Sequence, residues 1–322
     1  MHPIWRCTYP ACILALLCCA GCHRLSSNRV ITVIPREPPE SMWVNEHVGI
    51  NEAAARHNVK IYWNGPTGEE SVEQQIDLAE RAIRNGDLGL ILSPTNPFAL
   101  NTVVKRSLAS GMSVVIVGNP LSLKPEKRLS FVLNDEEQTG ALAADRIKTA
   151  LKGRGEVLIV GIDPFLPGSP DRSSTFEAVL SRDAPEIKVV DKLEGTFSFG
   201  QAELAVEKSI LAHPHLSAIL SLNISATRGA IAAVRTTHTS KQIAIVGCDQ
   251  DIDLLFLLRR GVVDSLVAQN TRAMGALAVD FVMDEDRGAP VPPYTYVKPI
   301  LITKENIDNE AIQRVLYMKF WP

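Results

Sequence analysis

Apolar runs of four or five residues recur along this chain, and each is followed by a stretch with helical periodicity. Val30-Ile31-Thr32-Val33-Ile34-Pro35 reads as a first strand. A helix is expected over residues 43–57, with Val44, Val48, Ala54 and Ala55 on its inner face. Lys60-Ile61-Tyr62-Trp63 is a second strand, turned at Gly65-Pro66-Thr67-Gly68. Ser71 starts a helix that Gly86 ends. Gly89-Leu90-Ile91-Leu92 and Val114-Val115-Ile116-Val117 are further strands, separated by a helix over 98–109. Between Phe131 and Gly140 the pattern restarts. Helices are expected over 140–151, 172–180, 201–211 and 226–236, and strands over 156–160, 188–190 and 218–220. Strand and helix alternate with short connections, which is the signature of an α/β protein built on doubly wound parallel sheets.

One stretch completes the second set and organises the rest. Ile243-Ala244-Ile245-Val246 is a buried strand, and Gly247-Cys248-Asp249 leaves a carboxylate at its carboxyl end. Asp251 starts an amphipathic helix with Leu254, Leu255, Leu257 and Leu258 inward, and Gly261 ends it. Arg259 and Arg260 in the last turn suit the negative end of its dipole. Ser265-Leu266-Val267-Ala268 is the next strand, carrying Gln269 and Asn270 at its tip, and a helix begins near Met274. Asp249 and Gln269 thus stand where open α/β sheets place ligands. The last segment holds Pro290, Pro292 and Pro293, then a strand near 296–302 and a helix near 308–317.

A length of 322 residues leaves room for two domains. Hydrophobic content of 46% and charged content of 21% describe a globular protein, and a net charge of −3 argues against a nucleic-acid binder. Enzyme signals are weak: there is no P-loop and no HExxH motif. His213 and His215 flank Pro214 in what reads as a helix-end turn, and Cys248 reads as a small core residue. No cofactor, metal site or catalytic set is expected.

Cys7, Cys12, Cys18, Cys19 and Cys22 crowd the first 22 residues, and only Cys248 lies beyond them. Arg6 precedes an apolar run over 11–20, too short to span a bilayer and suited to a signal-peptide core. Its end, Leu17-Cys18-Cys19-Ala20-Gly21-Cys22, resembles a bacterial lipobox, with Cys19 where leucine usually stands. That resemblance implies a signal peptide over 1–21, an acylated Cys22 anchored to a membrane and a tether over 22–29. An ordinary signal peptide cut nearby is the alternative. In either case no disulfide framework survives processing.

The run Val246-Gly247, Asp249, Gln269, Met274-Gly275 resembles the type I periplasmic binding proteins of bacterial sugar ABC importers, with Cys248 replacing a usual aromatic. The resemblance covers roughly residues 31–312. It implies two lobes, 30–133 plus 270–297 and 134–269 plus 298–322, joined by three hinge crossings near 133–135, 269–271 and 296–299. It further implies a ligand site in the cleft. Glu40, Met42 and Trp43 stand in the first loop, with Trp43 as a stacking platform or, alternatively, a core residue. Arg172 stands where a ligand-clamping arginine is expected, at a helix start where a cation is poorly placed for the dipole. Phe197, with Phe199 as its rival, is the second aromatic, and Asn223, Asp249 and Gln269 complete the set. One departure stands out: Gly118-Asn119 occupies the place of an Asp-Arg or Asp-Ser pair, so Asn119 only partly replaces a carboxylate acceptor, with Arg36 or Glu40 as compensating groups.

The implied function is capture of a sugar or polyol for an ABC permease. A sensor of the same fold, signalling to a receptor kinase or chemoreceptor, is the alternative. A repressor of the lactose-repressor type would need a DNA-binding segment before residue 30, where the signal-like segment stands.

Overall fold

The computed structural model of the protein describes residues 28–36, 41–67, 71–163, 168–195, 198–237 and 242–316. The signal segment, Cys22, Glu40 and Phe197 lie outside the described residues, and Met42 is described through its helical backbone alone. The first set of elements is β1 (Asn28–Ile34), α1 (Ser41–His57), β2 (Lys60–Trp63), α2 (Val72–Asn85), β3 (Asp87–Leu92), α3 (Asn101–Ala109), β4 (Ser113–Gly118) and β5 (Leu129–Asn134). The second begins with α4 (Glu136–Ala150), β6 (Arg154–Ile162), α5 (Gly168–Asp183), β7 (Glu186–Glu194) and α6 (Phe199–Ala212). It continues through β8 (Leu216–Ser221), α7 (Ile224–Thr236), β9 (Ala244–Cys248), α8 (Ile252–Arg259) and β10 (Ser265–Ala268). The chain closes with α9 (Thr271–Asp286), β11 (Tyr294–Val297), β12 (Ile300–Thr303) and α10 (Glu310–Leu316).

Two six-stranded sheets result, ordered β11-β5-β4-β3-β1-β2 and β12-β10-β9-β8-β6-β7. The first is parallel throughout; in the second, β12 alone runs antiparallel, against β10. Helices cover both faces of such sheets, so central strands are apolar along their whole length. β5, β8 and β10 follow that rule, whereas the edge strand β2 alternates exposed and half-buried positions. Strand order reverses between β1 and β3 in one sheet and between β6 and β8 in the other, which marks two topological switch points.

The chain passes between the sheets at 134–136, 268–271 and 297–300. α9 leaves the second sheet and packs on α1 of the first lobe. Glycines make that contact possible: a Cβ at Gly49 would lie 1.9 Å from the Arg272 carbonyl oxygen, and one at Gly275 would lie 2.5 Å from that of Glu46. Several helices begin on caps that are also strand-tip residues. Asp135 accepts from Gln138 N, Asn223 from Ala226 N and Asn270 from Ala273 N.

Three expectations change. Val44 and Ala55, expected on the inner face of α1, are exposed, because Trp43, Glu46, Ile50, Ala53 and Ala54 take that face. The single strand near 296–302 is two strands in different sheets, split at Lys298-Pro299, because proline has no N–H to continue a ladder. Helix α5 begins at Gly168 rather than near Arg172, because Pro170 sits in its first turn, where a missing N–H costs nothing.

Candidate functional site

β9 ends at Cys248, and Asp249 then turns into the left-handed region at φ 69°. Among non-glycine residues aspartate and asparagine tolerate that conformation, because their short side chains bond locally. The ladder is kept, since Asp249 N donates to Val267 O at 2.9 Å. The turn leaves the carboxylate buried between two donors. Gln269 Nε2 donates to Oδ1 at 2.6 Å, and Arg172 Nη1 donates to Oδ2 at 3.1 Å. The tips of β9 and β10 are stitched together by Gln250. Its Nε2 donates to Gln269 O at 2.9 Å, and its Oε1 accepts from Gln269 N at 3.0 Å.

Arg172 is nearly fully buried, at 5% exposure. Nη1 also donates to Leu222 O at 2.8 Å. Nε and Nη2 fork onto Glu136, at 2.5 Å to Oε2 and 3.2 Å to Oε1. Burial works against this cation, but Asp249 and Glu136 outweigh it and hold the guanidinium well above its ordinary range. Asn134 Nδ2 donates to Glu136 Oε2 at 2.9 Å and to Thr139 Oγ1 at 3.0 Å, so the network reaches the first crossing between the sheets. Arg172 lies in the second turn of α5, where the helix-start argument does not apply, and four of its five guanidinium N–H groups face protein acceptors, with one on Nη2 uncommitted among the described residues.

Asn223 follows β8 at the switch point of the second sheet. Its Oδ1 caps α7 and its Nδ2 donates to Gly161 O at 3.4 Å. On the first lobe, Asn119 is half-buried just past the β4 tip, where Gly118 adopts φ 80°. Gln75 ties β1 to β3: Nε2 donates to Pro35 O at 3.0 Å and to Ser93 O at 2.8 Å, while Oε1 accepts from Thr95. Trp43 is buried in the first turn of α1, and its Nε1 has no hydrogen-bond partner among the described residues. One turn on, Glu46 is buried with both carboxyl oxygens unpartnered, and burial pushes it up to about 8. Phe199 opens α6 and is 48% exposed.

Asp249, Gln269 and Arg172 are thus joined directly by hydrogen bonds, with Asn223 next to Leu222 on their border. Glu136, Gln75, Gln250 and Glu46 are absent from the sequence-based set. Asp135-Glu136-Glu137 reads locally only as an acidic helix start, and nothing in it names a buried arginine as the partner of Glu136. Cys248 is fully buried, and burial pushes its thiol up to about 12, so it stays protonated and unreactive. No group of three or more His, Cys, Asp or Glu among the described residues is arranged to hold a metal ion.

Residues 31–288 match the family described as periplasmic binding protein domain. The D-ribose/D-allose-binding protein of Pseudomonas aeruginosa is 29% identical over 58% of this chain and 59% of its own. The ribose import binding protein of Bacillus subtilis is 25% identical over 76% of this chain and 77% of its own. A solved sugar-binding protein of a sugar ABC transporter from Bacillus halodurans superposes with a TM-score of 0.81 at 23% identity, covering 87% of this chain and 99% of that one. With this match, two switch-point sheets and polar side chains gathered at their strand tips, the chain belongs to the periplasmic binding protein family, a family of binding proteins and not of enzymes.

Proposed function

We propose that this protein captures a sugar or sugar-like polyol between its two lobes, outside the cytoplasm, and delivers it to the membrane-spanning subunits of an ABC permease. The Asp249 carboxylate carries this reading. Each of its oxygens takes one protein donor, and a carboxylate has about four acceptor positions, which leaves capacity for ligand hydroxyls. The names of the ribose- and allose-binding relatives support the ligand class.

Residues 30–133 plus 270–297 form the first lobe, and 134–269 plus 298–322 the second; the segregation of strands between two sheets supports this division. Asn119 is the contact proposed from the first lobe, and Asn223, Asp249 and Gln269 those from the second; the family resemblance alone adds Trp43, which is buried, and Glu40, Met42 and Phe197, whose side chains lie outside the described residues. Arg172 clamps the ligand with its uncommitted Nη2 N–H and also holds Asp249. A ligand favours the closed form only through contacts that improve on closure, so both lobes must touch it.

The test is a thermal-shift screen of residues 23–322 against pentoses, hexoses and polyols. A ligand at one hundred times its Kd adds about 2.7 kcal/mol to the folded state, a clear rise in melting temperature. A shift confined to one sugar class supports the reading; no shift with any class, and no heat on titration, overturns it.

Membrane attachment through Cys22 belongs to the same proposal. No helix among the described residues is long and apolar enough to cross a membrane; the lipobox-like end at Cys22 supports attachment by acyl chains. Cys22→Ser is expected to move the protein from the membrane to the soluble fraction. A variant that stays with membranes removes the lipid anchor.

A further inference from the structure

Arg172 touches two carboxylates unequally. Glu136 takes Nε and Nη2 in a two-pronged grip, whereas Asp249 receives Nη1 alone, at 3.1 Å. An arginine fork prefers two parallel bonds to one carboxylate. Without Glu136, the nearest carboxylate able to take that fork is Asp249. Both of its oxygens would then turn to the guanidinium, and with Gln269 still bound about three of the four acceptor positions would be taken, leaving a ligand about one in place of two.

We infer that Glu136 is a positioning residue of the ligand site: it draws Arg172 away from Asp249 and so keeps the Asp249 carboxylate open to ligand hydroxyls.

Three observations converge on this. Glu136 and Arg172 lie on different helices, α4 and α5, and the side chains meet where α5 begins. Room is left for the carboxylate there: a Cβ at Gly168, the first residue of α5, would lie 2.7 Å from Glu136 Oε1. Helix α4 does not need Glu136 for its start, because Asp135 caps it and Glu137 remains in the first turn. Finally, Asn134 at the end of β5 holds Glu136 Oε2 at 2.9 Å, so the grip on Arg172 is referred to the first crossing between the lobes.

The affinity part of the test rests on the sugar-binding reading; the structural part does not. Two variants are made in residues 23–322. Glu136→Gln removes the charge, and Gly168→Ala keeps it but pushes the carboxylate aside. Crystal structures of the unliganded variants are expected to show Arg172 with two bonds to Asp249. An Arg172 that keeps its present position in Glu136→Gln overturns the inference, whether or not any sugar binds.

Calorimetric titration with D-ribose and D-allose is the second arm. Both variants are expected to bind roughly 10- to 100-fold more weakly than the parent protein, the scale of one misplaced charged hydrogen bond. Their unliganded melting temperatures are expected to match the parent's. In an Asp249→Asn background, Glu136→Gln is expected to add no further loss, because its effect passes through Asp249. Additive losses overturn the positioning role. A parent protein that binds neither sugar counts against the ligand class alone, and the crystal structures still decide the role of Glu136.

Discussion

Asp249→Ala is expected to weaken ligand binding by about 2–4 kcal/mol, the scale for losing charged hydrogen bonds in a dry site. The residue provides more than an acceptor. Its carboxylate takes Gln269 on one oxygen and Arg172 on the other, so its loss also frees Gln269 Nε2 and Arg172 Nη1 to drift. Arg172 keeps its bonds to Glu136 and Leu222 O, so no bare cation is left in the interior. The backbone adds a separate cost. At φ 69°, alanine is disfavoured by roughly 1 kcal/mol relative to the short polar side chains that visit this region.

Asp249→Asn separates the two effects. Asparagine tolerates the same backbone and has the same shape but offers one acceptor oxygen where aspartate offers two, so it removes the backbone cost and isolates the loss of the carboxylate, as lower affinity and a smaller loss of stability than in Asp249→Ala. Calorimetric titration with a sugar that the parent binds, together with the melting temperature of each unliganded variant, checks both. Unchanged affinity in Asp249→Asn and Asp249→Ala removes this carboxylate from the site.

The second large effect concerns stability and is read at Glu46. This carboxyl lies between α1 and α9 with neither oxygen hydrogen-bonded, and burial raises it from 4.5 to about 8. Below about pH 4.5 it is neutral in both the folded and the unfolded chain, and ionisation costs nothing. Between about 4.5 and 8 the unfolded chain ionises while the folded protein keeps the proton. The folded state binds more protons there, so stability falls as pH rises, by about 1.4 kcal/mol per pH unit. From pH 5 to pH 8 the loss sums to roughly 4 kcal/mol. Glu46→Leu and Glu46→Gln both remove the ionisation. Urea unfolding across that range is expected to show a falling profile in the parent and a flatter one in both variants. Leucine is also expected to be the more stable of the two, because the glutamine amide stays unpartnered. Parallel profiles in parent and variants would mean that Glu46 is solvated or paired.

Trp43 and Glu46 show what local pattern conceals. Trp43 reads as a ligand platform, with a core residue as the alternative, and only its position in α1 shows it to be buried. Glu46 interrupts the inner face of α1 with a polar residue, so periodicity assigns it to solvent. The approach of Gly275 covers it instead, with the Glu46 side chain 3.0 Å from where a Cβ would stand. The boundaries of α5 and the split between β11 and β12 escaped for a related reason: each turns on a proline whose effect depends on whether the neighbouring backbone still needs its N–H.

The alternation of strands and helices, the buried character of the central strands and the delivery of Asp249 and Gln269 to strand tips are local properties. They follow from apolar periodicity, caps and glycine stops, and the sequence by itself determined them. Partnerships across elements are of another kind. Thirty-six residues separate Glu136 from Arg172, and seventy-seven separate Arg172 from Asp249. Their meeting depends on which strand lies beside which, on where α5 begins and on how closely α4 packs against it. Those are outcomes of sheet order and helix contact, set by packing over the whole lobe. That is why the strand-tip aspartate was legible in the chain, and why only the tertiary structure decided which side chains hold it in place.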